Sequence, residues 1–186
     1  CADLARFAET HGIPVVETQA GKSALPWDHG WNFGPVGVTG ATSANTLCAE
    51  ADLVIGVGTR FQDFTTGSWT IFKKPGRKIL SVNVQPHDAT KRGAQALVAD
   101  AKVALEKLSA ALGGHRYADP DFAAREAWFR TTAAPMAAPN GNQLPSDAQV
   151  VGAVNRSATP KTLVMGAAGS MPGVLHVLWR GSEGGY

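Results

Sequence analysis

Cysteine is nearly absent from this chain: Cys1 and Cys48 are the only two among 186 residues. Two such thiols provide neither a disulfide framework nor paired metal-ligand spacing. Cys48 falls on the apolar face of a helical pattern and reads as a packed thiol, in keeping with a reducing cytoplasm. No apolar run approaches the ~18 residues of a membrane span, and no basic-then-apolar leader precedes the first helix. Charge is also sparse, at 17% of residues with a formal net charge of +2. No Lys/Arg run is dense enough for nucleic acid, so neither nucleic acid nor membrane is expected as a partner. The five histidines (His11, His29, His87, His115, His176) show no zinc spacing.

What is present is a 44% hydrophobic composition arranged in alternating short runs. Leu4, Phe7, Ala8 and His11 recur at helical spacing before Gly12, and Ile13–Thr18 reads as a buried strand. Ala44, Leu47, Cys48 and Ala51 mark a second helix. Leu53–Val57, Ile79–Val84 and Leu97–Ala99 are further strands. Asp100 caps an amphipathic helix ended by Gly113-Gly114. Strands alternating with helices imply right-handed crossovers and a parallel sheet, an α/β layer fold. From Gly113 to Pro145 the chain reads as a Pro/Asn/Gly-rich linker around one short helix near Phe122–Arg130. The α/β rhythm then resumes: a helix around Val150–Val154, a strand at Thr162–Met165 and a helix at Val174–Arg180.

Several motifs fail as active-site signatures. Gly21-Lys22-Ser23 lacks the upstream P-loop glycine, since Val16 stands there. In Gly56-Val57-Gly58 the third dinucleotide-fingerprint glycine is Phe61. Asn83 and Gln85 replace the ribose-binding acid, so these glycines read as a tight strand exit. Around Ser170 the nucleophile-elbow glycines are Ala168 and Pro172. The one later histidine, His176, shares the following helix and cannot fold back onto Ser170. Ala168-Gly169-Ser170 reads instead as an ordinary helix start or an anion-friendly one, with Ser170 capping and Pro172 early in the helix. His29, among Trp27, Asp28 and Trp31, is the most site-like histidine, although loop aromatics commonly pack against a neighbouring unit. Arg60 and Asp63 follow a strand end and either hold a ligand or pair with each other.

Gly21-Lys22-Ser23-Ala24-Leu25-Pro26, the Gly37-Val38-Thr39-Gly40 turn and Glu50–Phe61 together resemble the central domain of the acetohydroxyacid-synthase-like superfamily of thiamine-diphosphate enzymes. Gln62-Asp63-Phe64-Thr65-Thr66-Gly67-Ser68-Trp69 is similar to the ring-opening hydrolase branch of inositol catabolism. Val82–Ala89 and Ala167–Gly173, with Leu175-His176 and Leu178-Trp179, resemble the same branch. The resemblance implies a Rossmann-like central domain at 1–112 lacking its first strand and a linker at 113–145. The start of a thiamine-diphosphate-binding C-terminal domain would follow at 146–186.

It further implies a cytoplasmic, homo-oligomeric enzyme that cleaves a C–C bond of a cyclic dione, yielding a deoxyglucuronate. The cofactors implied are thiamine diphosphate and Mg2+. No residue matches the activating glutamate or the metal ligands of such enzymes, so no catalytic or metal residue is assigned. The stretch carried over toward the cofactor is Ala168, Gly169 and Ser170. The alternatives are a flavin-bearing acetohydroxyacid synthase and a non-catalytic ligand-binding module. As an internal piece, the chain alone is expected to be inactive and to fold poorly, with an open sheet edge.

Overall fold

The computed structural model describes residues 1–117, 119–141 and 144–182. Helix α1 (Ala2–His11) ends at Gly12, whose left-handed φ of 67° lets its N–H reach the Ala8 carbonyl. Strand β1 (Val15–Glu17) is shorter than the expected Ile13–Thr18. Ile13 still donates back to Ala8, Pro14 has no N–H, and the Thr18 hydroxyl turns the chain by accepting from Gly21 N at 3.1 Å. Strand β2 (Asn32–Pro35) lies in the Gly/Trp-rich stretch that carries no strand pattern. It pairs parallel to β1, Val15 against Asn32 and Glu17 against Pro35, so tertiary pairing overrides its weak propensity.

Helix α2 (Thr42–Glu50), strand β3 (Leu53–Val57) and helix α3 (Asp63–Thr66) follow. Strand β4 (Lys78–Asn83), helix α4 (Pro86–Ala89), strand β5 (Gln95–Val98) and helix α5 (Ala101–Leu112) complete the run. Strands β3, β4 and β5 pair in that order, all parallel. The α/β expectation holds, with one qualification: the described strands form two ladders, and the break falls between β1 and β3.

Asp100 caps α5 by accepting from Val103 N, as its spacing requires. Ala104 and Leu105 bury the stripe, while Ala111 at the end of the predicted face is exposed. His11, fully buried, ties α1 to this helix through Ser109 Oγ and the His115 carbonyl, each at 2.8 Å. Cys48 packs with Val36 and Phe72, and burial pushes its thiol up to about 12.

The predicted short helix is α6 (Phe122–Trp128), which continues through a π-helical turn (Phe129–Ala133) into α7 (Ala134–Met136). Pro135, which cannot donate to the helical ladder, sits two residues past that widened turn. A Ser146/Gln149 capping box starts α8 (Asp147–Ser157). The strand expected at Thr162–Met165 does not form: the segment is irregular, with Leu163 64% and Met165 89% exposed. A lone strand has no ladder to satisfy its backbone, and no other described strand lies beside it. Helix α9 (Met171–Leu178) packs on α8 around Val151, Leu175, Leu178 and Trp179. Among the described residues no helix is long and apolar enough to cross a membrane.

Candidate functional site

The C-terminal ends of β1, β2 and β3 open into a crevice of about 280 Å³. In open α/β sheets this is where loops diverge and ligands enter. Its walls carry Thr18, Gln19, Thr39, Thr59, Arg60 and His176. Each loop is pinned from behind. Asn45 brackets Gly37, donating to its carbonyl and accepting from its N–H, both at 2.9 Å. Val38 N–H donates to the Phe64 carbonyl at 2.8 Å. Asn83, at the end of β4, donates to the Thr59 carbonyl at 3.1 Å and accepts from Gln85 N–H. The position where a dinucleotide enzyme keeps an acid thus serves here to hold the β3 exit loop.

That exit confirms the structural reading of Gly56-Val57-Gly58. The Phe61 ring lies over the strand where a Gly56 Cβ would come within 2.4 Å of it, and Gly58 takes a φ of 68°. Arg60 and Asp63 do not pair. Asp63 meets Arg92 at 3.8 Å, while the Gln62 amide, turned with its oxygen toward Arg60, accepts from Nε at 3.0 Å.

His176 closes the crevice from α9. Its Nε2 is 3.1 Å from the Glu17 carbonyl, which can only accept, so Nε2 carries the proton. Nδ1 then accepts from the Thr39 hydroxyl at 3.2 Å. Burial, chiefly, lowers its pKa to about 4, so the ring is neutral and both nitrogens are committed. It is a tie between α9 and β1, with no capacity left to act as a base. Its one signal in the sequence is a position on an apolar helix.

Behind β1 lies a buried ion pair, Glu17 and Lys22 at 3.9 Å, with side chains 1% and 6% exposed. Burial raises the Glu17 pKa and lowers that of Lys22, while each partner's charge pulls the other back. Glu17 also accepts from Leu25 N–H at 3.3 Å. Lys22 of the failed P-loop motif is therefore a core cation. The loop aromatics pack inward: Trp27 lies 5.5 Å from Phe129, and Trp31 lies 5.2 Å from Phe122. The Arg180 guanidinium sits over Trp27 and Phe129. His29 pairs with Glu9 at 3.2 Å.

Ala168, Gly169 and Ser170 lie outside the crevice, on an exposed loop before α9. Ser170 occupies the N-cap position without a side-chain cap, contrary to expectation. It has helical φ/ψ, and its hydroxyl donates instead to Asp147 at 2.8 Å. That Ser–Asp pair has no histidine, which excludes a Ser-His-Asp triad built on it. The loop has open space at Gly169. Among the described residues no cluster of three acidic, histidine or cysteine groups could hold a metal ion. The crevice offers hydroxyls, amides, a guanidinium and the Thr39–His176 hydrogen bond.

Residues 1–108 match the family model described as "Thiamine pyrophosphate enzyme, central domain". The chain is similar to proteins named 3D-(3,5/4)-trihydroxycyclohexane-1,2-dione hydrolase. The one from Clostridium perfringens is 37% identical over 204 residues, covering 95% of this chain and 32% of that protein. Those of Geobacillus thermodenitrificans and Bacillus anthracis are also 37% identical, over 94% and 95% of this chain. The chain spans about a third of the length of these relatives. With the family match running from α1 into α5, this chain belongs to the thiamine pyrophosphate enzyme central-domain family.

Proposed function

We propose that this chain is the internal part of a thiamine-diphosphate-dependent hydrolase that opens the ring of trihydroxycyclohexane-1,2-dione by cleaving a C–C bond. One observation carries the reading: 37% identity along 95% of the chain to proteins bearing that name. The cofactor supplies the electron sink for C–C cleavage. In this reading the catalytic acid and the metal ligands come from other parts of the polypeptide. In this reading the parent enzyme uses Mg2+, is a cytoplasmic homo-oligomer, and acts on a small cyclic dione with no nucleic acid or membrane partner. Residues 113–145 link the central unit to the beginning of the cofactor-binding domain at 146–186.

The test is ring opening by the full-length protein, followed as appearance of the open-chain acid. Activity is expected with thiamine diphosphate and Mg2+, to vanish on chelation and cofactor removal, and to return on re-addition. A yellow protein that makes acetolactate from pyruvate and leaves the dione intact overturns the reading in favour of the flavin-bearing synthase.

The Ala168-Gly169-Ser170 loop is assigned to the edge of the cofactor. Its exposure, its open side at Gly169 and the Pro172-bearing helix behind it support this. Ser170→Ala in the full-length enzyme is expected to raise the thiamine-diphosphate Kd about fivefold, the worth of one hydrogen bond. Unchanged affinity and turnover remove the assignment.

A further inference from the structure

Helix α9 starts directly after the Ala168-Gly169-Ser170 loop, and one side chain of the central unit meets two of its successive turns. A Cβ at Gly173 would stand 2.9 Å from the Thr39 methyl, so the helix backbone lies directly on that side chain. One turn later the Thr39 hydroxyl donates to His176 Nδ1 at 3.2 Å. Gly173 and His176 are three residues apart and share one helix face. The methyl group limits how closely α9 approaches the sheet layer. The hydroxyl sets the rotation of α9 about its axis, because His176 is held on its other side by the Glu17 carbonyl.

Thr39 can act as such a stop because its own turn is fixed. Asn45 holds both backbone groups of Gly37, and Val38 N–H donates to the Phe64 carbonyl. Gly40 N–H closes the turn on the Gly37 carbonyl at 2.9 Å. A Cβ at Gly40 would fall 2.6 Å from Gly37 N, so the turn is wound too tightly to give way. The branched Thr39 side chain turns about a single χ1, so its methyl and hydroxyl are placed together.

Ser170 precedes Gly173 by three residues, about 4.5 Å along a helix axis. A displacement at the seat therefore passes to the loop almost undiminished. Groups that hold a cofactor must stay within about 0.5 Å of their working position. The Ser170 bond to Asp147 on α8 is a second anchor, and it lies on exposed surface.

Resting on the assignment of that loop to the cofactor edge, we propose that Thr39 is a positioning residue for thiamine diphosphate. Acting through α9, its methyl and hydroxyl fix where the 168–170 loop stands.

The test is the Kd of thiamine diphosphate, measured by calorimetry with Mg2+ on the full-length protein, with melting temperatures taken alongside. Thr39→Val keeps the shape and removes the hydroxyl, and should raise the Kd about fivefold, the worth of one hydrogen bond. Thr39→Ser restores the hydroxyl and should bring the Kd back to within about twofold of the unchanged protein. Gly173→Ala pushes α9 off the methyl and should weaken binding at least as much as Thr39→Val. A lower melting temperature with an unchanged Kd in Thr39→Val marks a purely structural contact and overturns the proposal. Equal losses in Thr39→Val and Thr39→Ser overturn it as well, since the hydroxyl is then not the tie. Ser170→Ala separates the two levels. If it weakens binding while Thr39→Val does not, the loop assignment stands and the seat alone falls; if neither does, both fall.

Discussion

His176, on α9 and bonded to the Glu17 carbonyl of β1, sets a pH limit on the packing there. Its pKa is about 4 in the fold against an ordinary 6.5, so the unfolded chain binds a proton that the native chain refuses. Its contribution is complete above pH 6.5 and is lost as pH falls from 6.5 toward 4, amounting to about 3 kcal/mol. Thermal melts between pH 7.5 and 4 should show this slope. His176→Gln, which keeps a donor for the Glu17 carbonyl, should melt lower at neutral pH and lose most of the slope. Glu17 beside it titrates with the opposite shift, so the difference between protein and variant is the quantity to read. An unchanged slope in the variant would remove His176 as its source. The Glu17–Lys22 pair calls for a cycle. Each of Glu17→Gln and Lys22→Met alone should cost about 3 kcal/mol in urea unfolding, because it strands a buried partner. The double variant should cost clearly less than the sum, and strict additivity would mean that the two groups do not interact.

Among the elements, α8 shows local preference losing to packing. Gly152 sits inside this helix, where alanine would ordinarily gain about 1 kcal/mol. A Cβ there would stand 2.1 Å from the Ala137 carbonyl oxygen at the end of α7, a backbone atom that cannot swing aside. Gly152→Ala should therefore destabilise by about 2 kcal/mol, read as a lower denaturation midpoint. A gain in stability would mean that α8 does not press on the α7 terminus. The capping box at Ser146 and Gln149 lies in an exposed turn free of such conflict. Ser146→Ala there should cost about 1 kcal/mol.

Across the whole molecule, the C-terminal helices are held to the sheet layer by few contacts of high quality. Arg125 donates to the Trp27 carbonyl at 3.0 Å, His176 reaches β1, and Arg180 covers the Trp27 and Phe129 rings. A Trp27→Ala/Arg180→Ala cycle should give a coupling of about 1 kcal/mol, seen as a double variant less destabilised than the two singles combined. Zero coupling would reduce the stacked guanidinium to a passive cover. The cation is exposed enough for salt to compete, so the coupling should persist in high salt only as far as ring contact carries it.

Local pattern alone determined α1 with its Gly12 stop, β3 to the residue, and α5 with its Asp100 cap. In these segments apolar period, cap and stop all point to one answer. The packed Cys48 and the structural glycines of the β3 exit were legible for the same reason. Only the tertiary structure decided that Asn32–Pro35 is a strand and Thr162–Met165 is not, because a strand exists through its neighbour and not through its own residues. It likewise decided that Thr39, Glu17 and His176 meet across more than a hundred residues and that Ser170 turns to Asp147. Hydrogen bonds between distant side chains leave no period in a sequence; they form only after the helices and strands have packed.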